Sequence, residues 1–549
     1  MIRFSLPFAR GRFLTNETRE LAQRHAPFNV DELAKLAVRA AEATSDGRRK
    51  CIDIKKLADG MHNKAIRFTM DDGFQVIGKV PNPNAGLRHY TTTSEVATMD
   101  FMRSVLDTPV PKIFSWNSSA DNPVAAGYIL MENARGVSLS TIWDNLDVDQ
   151  QFKVLKKIAM YQRTWSDVHI SVRQRSALPN QDRKEITDER FAVGPSVSRK
   201  NVDCGRADLD FDRGPWRAVG DYERATGLRE SFYVQNISQL PRSPIAIHYS
   251  RSYQPSRGKK VSAIQSYLKL VDHLIPEDDN ITTSHLWHDD IHVENIFVNP
   301  DDPSEIYAFI DWQSTALAPL YDHIIEPYIL DYNGPPLDGL LERPKLADIQ
   351  ALFQDEPGPV AKAKADSLFR KMSLVALYRF LLYKKMPRLF KALEFRQTDS
   401  FQLLLLAQNI LIDGEATYLG LLAAQQETKW SGVPRISQGA QNAPLSFSRE
   451  EIQRINQDAE AAARSMELMG DVRRMIGSQY FQAQGLVSHQ QFRELEQILP
   501  KVKEEFLQMH ARSEEEVELN RAWPFDVPGR SILINGSSVK QGLEVEQKQ

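Results

Sequence analysis

His288 to Trp312 reads HDDIHVENIFVNPDDPSEIYAFIDW, and the spacing of its polar residues decides how the rest of the chain is read. Asp290 and Asn295 stand five apart, an apolar run from Ile296 to Asn299 follows, and PDDPSE interrupts the chain before a second run, Ile306 to Ile310, that ends at Asp311. Two short apolar runs around a turn-rich segment predict a β-hairpin with polar groups at its open end. With Asn299 opposite Tyr307, antiparallel register sets Asn295 beside Asp311, since facing residues in such a ladder lie about 5 Å apart. An amide and a carboxylate converging there are hard oxygen donors, few in number, and suit Mg²⁺, which completes its shell with waters and substrate phosphates. Asp290 stands at the mouth of the same site. A second reading makes His288, Asp289, Asp290 and His292 a metal-hydrolase loop. Transition-metal centres want further His or Cys ligands, and Cys51 and Cys204 are the only cysteines. The plainest alternative is a solvated polar turn between two strands.

The pattern H-x-D-x-x-x-x-N, met as His288, Asp290 and Asn295 and followed after a short hairpin by Asp311, resembles the catalytic segment of the aminoglycoside phosphotransferase and choline kinase-like superfamily. The resemblance implies an α+β, bilobal protein-kinase-like fold with a small β-rich N-lobe and a large, mainly helical C-lobe. It implies ATP and Mg²⁺ as cofactors and a small-molecule acceptor. Asp290 would take the proton of the acceptor hydroxyl within the catalytic segment it shares with His288, and Asn295 and Asp311 would hold magnesium against the nucleotide.

Such a fold makes demands on the N-terminal half. Residues 65–80, AIRFTMDDGFQVIGKV, are two short runs around Asp72-Gly73, a strong hairpin signal. In the second run Phe74, Val76, Gly78 and Val80 share one face, and Gln75, Ile77 and Lys79 the other. Lys79 therefore rises from a strand, where kinase-like folds keep the lysine that meets the α and β phosphates; an exposed edge lysine is the alternative. The preceding turn, Gly60-Met61-His62-Asn63-Lys64, makes Gly60 and Asn63 candidates for nucleotide contact, although an ordinary turn fits as well. Apolar residues Val96, Met99, Met102 and Val105 predict a helix over Thr92–Leu106. Glu95 near its start either closes a capping box with Thr92 or pairs with Lys79. Strands around Lys112–Trp116 and Gly127–Met131 lead into ENARG, the expected hinge. Backbone groups from Met131 to Ala134 would meet the adenine edge, which nominates Met131 and Asn133.

Composition excludes more than it assigns. A net charge of −4 over 549 residues gives no sign of a nucleic-acid surface. LVALYRFLLY from Leu374 and FQLLLLAQNILI from Phe401 are interrupted by Arg379, Gln402 and Gln408. They fall short of the roughly 20 apolar residues of a transmembrane segment and read as buried helices. Two distant cysteines make no disulfide framework and imply a reducing compartment.

The expected organisation is a presequence over 1–16, an N-lobe over 17–134 and a C-lobe over 135–445, with an insertion at 174–230 and the catalytic hairpin at 288–313. A helical extension over 446–535 and a disordered tail over 536–549 follow. Insertions near the acceptor are how such enzymes choose substrates. The extension opens on capping-box patterns at Ser448–Glu451 and Ser488–Gln491, and packs on the large lobe or binds a protein partner. RFLTNE at Arg12, FNVDEL at Phe28, FAVGP at Phe191, DRGPW at Asp212, IDWQ at Ile310, LDYNGPP at Leu330 and WPF at Trp523 resemble the fungal branch related to altered inheritance of mitochondria protein nine. That likeness implies a mitochondrial protein with an undefined acceptor. Arg3, Arg10 and Arg12, with no acid before Glu17, have the composition of an import signal; a basic segment of a cytoplasmic protein is the alternative.

Three functions stay open: a small-molecule kinase, a nucleotide-binding pseudokinase acting through protein contacts, and a structural protein. The glycine-poor turn at Gly60, and Asp289 where the superfamily often has glycine, are departures that bear on catalysis. The lack of an A-P-E element and of a full G-x-G-x-x-G loop argues against a protein kinase.

Overall fold

The computed structural model describes residues 12–525 except 45–46, 58–59, 170–183, 186–189, 242, 250–251, 331, 333, 338, 438–442, 478–479, 481–485 and 512–515. Alternating apolar residues make strands of Asn63–Met70 and Gln75–Pro81, joined at Asp72-Gly73 with Lys79 opposite Ala65. Gly73 turns the chain with φ 83°, a conformation that costs glycine little. These strands lie inside a five-stranded antiparallel sheet ordered Cys51–Lys56, Asn63–Met70, Gln75–Pro81, Tyr128–Glu132, Ile113–Asn117. One face buries Phe68, Val76 and Leu130 against Leu33, Ala37 and Ala41 of the helix Val30–Glu42. Neither that helix nor the first strand was expected. Toward the other face lies the helix Tyr90–Ser104, two residues earlier at each end than the expected Thr92–Leu106. The Thr92–Glu95 capping box does not form. His89 is the N-cap, without a side-chain cap bond, and Glu95 is buried inside the helix.

The C-lobe is mainly helical. Val148–Ser166, capped by a box of Asp147 and Gln150, joins Val219–Asn236, Arg257–Leu274, Gly358–Lys385, Asp399–Ala407 and Glu415–Glu427. Their shared core includes Trp165, Trp287, Trp312, Tyr267 and Tyr378. The two greasy runs are helical, but the first buries only one side, with Leu374, Val375, Tyr378 and Leu382 covered and Leu377, Phe380 and Tyr383 exposed, and no helix among the described residues is long and apolar enough to cross a membrane. Part of the expected insertion, 174–183 and 186–189, lies outside the described residues. Its expected end at Glu230 falls inside Val219–Asn236, where Tyr222, Ala225, Tyr233 and Val234 are buried on the helix's inner side.

The catalytic hairpin pairs Ile296–Val298 with Ile306–Phe309, and a third strand, Val137–Ser138, pairs with Phe297 and Val298. The register differs from the expected one. A shift between Phe297 and Val298 brings the Asn299 N–H to the Glu305 carbonyl, and the Ile310 N–H donates to Asn295 O at 2.9 Å. Asn295 therefore faces Ile310, and Asp311 lies one residue beyond.

A second compact unit gathers Arg10–Glu20, Pro244–Ser252 and Arg464–Gln549. Arg12–Phe13 pairs with Leu486–Val487, and Leu14, Ile247, Val472, Leu495, Leu499, Phe506 and Trp523 form its core. Residues 12–14 of the expected presequence are thus strand and core; residues 1–11 and the tail 536–549 lie outside the described residues. Both C-terminal capping boxes form, at Ser448–Glu451 and Ser488–Gln491. The unit begins at Arg464, within the helix Arg449–Ile476 and not at its start.

Candidate active site

Strand alternation turns Lys79 away from the helix Val30–Glu42 and toward the C-lobe. Its ammonium donates to Glu95 Oε1 at 2.5 Å and to Asp311 Oδ1 at 2.6 Å. Burial opposes its charge, but the carboxylates of Asp311 and Glu95 hold its pKa above the ordinary value. Burial also works against Asp311, whose pKa Lys79 nonetheless depresses, and burial raises that of Glu95. One cation thus serves two carboxylates, and an acid surplus is left at the mouth. Asp311 holds φ 62°, a left-handed backbone uncommon outside glycine and concentrated at functional sites.

The loop before the hairpin is braced from within. His288, 2% exposed, meets Ile310 O through Nε2 at 2.9 Å and accepts the Asp290 N–H on Nδ1 at 3.2 Å. Burial lowers its pKa, and with both nitrogens spent on main chain it holds the loop in shape. The Asn295 amide donates to Asp290 O at 3.0 Å and to Asp290 Oδ2 at 3.2 Å. That carboxylate oxygen also lies 3.5 Å from His292 Nε2, and the Asp290 side chain is 59% exposed. The expected metal-hydrolase set does not converge: His288 faces main chain, and Asp289 turns to His323 at 3.0 Å. Among the described residues no three His, Cys, Asp or Glu side chains gather as a metal cage.

The remaining candidates fall in two places. Gly60 closes its turn through an N–H to Asn63 O bond of 3.1 Å, and Asn63 donates to Gln313 Oε1 at 3.1 Å, two residues past Asp311. Met131 sits in the sheet between Ile77 and Ile113, with its side chain in the core. Asn133, the first residue beyond that strand, donates to Gln75 Oε1 at 2.8 Å.

Several polar residues beneath the site were missed. His62, in the turn after Gly60, is pushed down to about 3 by burial and by the charge of Arg199. Asp322 takes Lys200 at 2.6 Å, the Tyr222 hydroxyl and Gln408 at 3.0 Å. Burial opposes ionisation of Asp322, but Lys200 holds its pKa well below the carboxylate range. Asp322 and His323 interrupt the apolar stretch LAPLYDHII, and polar residues inside such a run were the available signal.

The matched family model covers residues 53–325, a span that contains Lys79, Glu95, Asp290, Asn295 and Asp311. This stretch carries the phosphotransferase enzyme family (APH) domain. A subtelomeric hrmA-associated cluster protein of Aspergillus fumigatus is 32% identical over 54% of this chain and 64% of its own length, so the chain spans under two thirds of it. The altered inheritance of mitochondria protein 9 of Yarrowia lipolytica is 22% identical over 88% of this chain and 84% of that protein. Among solved structures, amicoumacin kinase with AMP-PNP has a TM-score of 0.33 at 13% identity, over 81% of this chain and 96% of the kinase.

Proposed function

We propose that this protein transfers a phosphoryl group from ATP, with Mg²⁺, to the hydroxyl of a small molecule, and that it works in mitochondria. The observation that carries the reading is the buried Lys79 held between Glu95 and Asp311. A strand lysine, a helix glutamate and the aspartate after the hairpin are the parts a kinase-like site needs for the nucleotide.

The donor set fits the ion. Asn295 spends its amide hydrogens on Asp290, which leaves the amide oxygen as donor, and Asp311 spends Oδ1 on Lys79. Two hard oxygens from the protein, with phosphates and water for the rest, suit Mg²⁺. Bound between Asn295 and Asp311, it would offset charge building on the phosphates. Lys79 would turn from Asp311 to the phosphates while keeping Glu95. Asp290, open to the cleft, accepts the acceptor's proton, and the Asn295 amide on Oδ2 aims its other oxygen outward. The mitochondrial part rests on the similarity to the mitochondrial relative from Yarrowia.

ATP is expected to raise the melting temperature only with Mg²⁺ or Mn²⁺ present, since a ligand at 100 times its Kd stabilises by about 2.7 kcal/mol. Asp311→Asn should lose the shift. An ATP-consumption screen against small alcohols and amines then finds the acceptor. Equal metal-dependent shifts in both proteins remove Asp311 from the site, and binding without turnover on any acceptor makes the protein a pseudokinase.

A further inference from the structure

Behind the Asp290 loop lies a pair that the phosphotransferase motif does not include. The Asp289 carboxylate accepts the Ile324 N–H on Oδ1 at 2.8 Å and faces His323 Nδ1 at 3.0 Å. His323 is 1% exposed, and its other nitrogen, Nε2, lies 3.0 Å from the His285 carbonyl. A carbonyl can only accept, so Nε2 carries a hydrogen. The Asp289 carboxylate is 43% exposed and already takes an N–H, so it too is an acceptor. Both nitrogens face oxygens that accept, an arrangement that favours the doubly protonated ring. It stacks on Trp287, with ring centres 5.8 Å apart and planes 20° apart, and Trp287 Nε1 donates to Ile324 O at 3.1 Å.

We propose that Asp289 and His323 are positioning residues that fix the direction of the Asp290 carboxylate by tying its loop to the segment Tyr321–Ile324. The proposal rests on the reading of Asp290 as base. Asp289 is the preceding residue in the chain, so its side chain and the His288 ring, which takes the Asp290 N–H, pin the peptide before the base, while the Asn295 amide pins the Asp290 carbonyl after it. A glycine at 289, as the superfamily often has, cannot make this link.

Protonation of His323 makes the anchor depend on pH. Burial disfavours its charge, yet Asp289, with help from Asp322, raises its pKa above the usual histidine value. The charged and titratable groups around the ring are Asp289, Asp322 with its partner Lys200, His285, and Arg396, which donates to the His323 carbonyl at 3.1 Å. His285 stays neutral: burial and the charge on His323 push it down to about 3. The anchor therefore weakens as pH rises through the raised value of His323.

The test uses the full chain with Asp289→Asn, Asp289→Gly and His323→Gln. ATP turnover, with water or a screened acceptor, is followed against pH, and amide hydrogen exchange is followed in the peptide 287–297. Asp289→Asn should speed exchange there and lower kcat about tenfold to hundredfold, the scale of a misplaced catalytic group, with the KM for ATP unchanged. It should also move the alkaline limb of kcat to lower pH. His323→Gln, whose amide can donate to Asp289 at every pH, should abolish that limb. Unchanged exchange and pH profile in Asp289→Asn, or an effect confined to the KM for ATP, overturns the proposal. A wild type without turnover counts against the phosphotransferase reading, while the exchange comparison still upholds or overturns the pair.

Discussion

Glu223 lies fully buried in the C-lobe with the Tyr321 hydroxyl at 2.7 Å and the Tyr267 hydroxyl at 3.3 Å. Burial and the nearby charge of Asp322 push its pKa up to about 7. The unfolded chain releases this proton near the ordinary carboxylate value, so between there and about 7 the folded state holds more protons. Stability must therefore fall as pH rises across that window, by about 3 kcal/mol in all. Glu223→Gln should flatten the fall, and denaturant melts at both ends of the window measure it. At the site itself, Asp290→Ala should keep Mg²⁺-ATP binding but lower turnover by about 10² to 10⁴; equal residual ATPase in both proteins would favour the pseudokinase. Lys79 and Glu95 could be nominated from sequence because strand alternation and helical spacing are local patterns. The link from Asp289 to His323 could not, since a contact between loops so far apart in the chain leaves no periodic trace.

Two glycines separate turn chemistry from packing among the elements. A Cβ on Gly73 would meet nothing within 4 Å, so Gly73→Ala should cost only backbone strain, about 1–2 kcal/mol, with nucleotide binding kept. At Gly136, φ is 78° and a Cβ would lie 2.1 Å from Val298 O, beside the pairing of Val137–Ser138 with the catalytic hairpin. Gly136→Ala must break that pairing, and we expect loss of the Mg²⁺-ATP melting shift together with several kcal/mol of stability. A melting curve like that of Gly73→Ala would contradict the contact. The hairpins were legible because Asp-Gly and Pro-Asp-Asp-Pro punctuate apolar runs. The register of the second was not. Its strands are only three and four residues long, and the shift after Phe297 leaves no mark in the alternation of apolar residues.

At the scale of the whole molecule, the order of hairpin, helix, two strands, helical lobe and catalytic hairpin was readable because each step leaves its own local pattern. The second unit was not, because its core is assembled from three distant segments. That assembly changes how import can be tested. Arg12 makes two bonds to Glu17, at 2.6 and 2.7 Å, and its guanidinium lies 3.7 Å from the centre of the Phe492 ring. Charge reversal there would damage the unit, so the signal is better tested with Arg3→Glu and Arg10→Glu alone. A C-terminally tagged double variant should remain cytosolic while the wild type reaches mitochondria. A cytosolic wild type refutes the localisation.

The pairing of Arg12 with Val487 also sets a clock. Arg12 has no strand partner until Val487 has been made, and at about 5–20 residues per second that wait is on the order of a minute. Over that interval Arg12 has neither strand partner nor Phe492, whatever the rest of the chain has done. Whichever reader of basic segments the nascent chain meets in that minute has first claim on the arginine, and folding of the unit takes what is left.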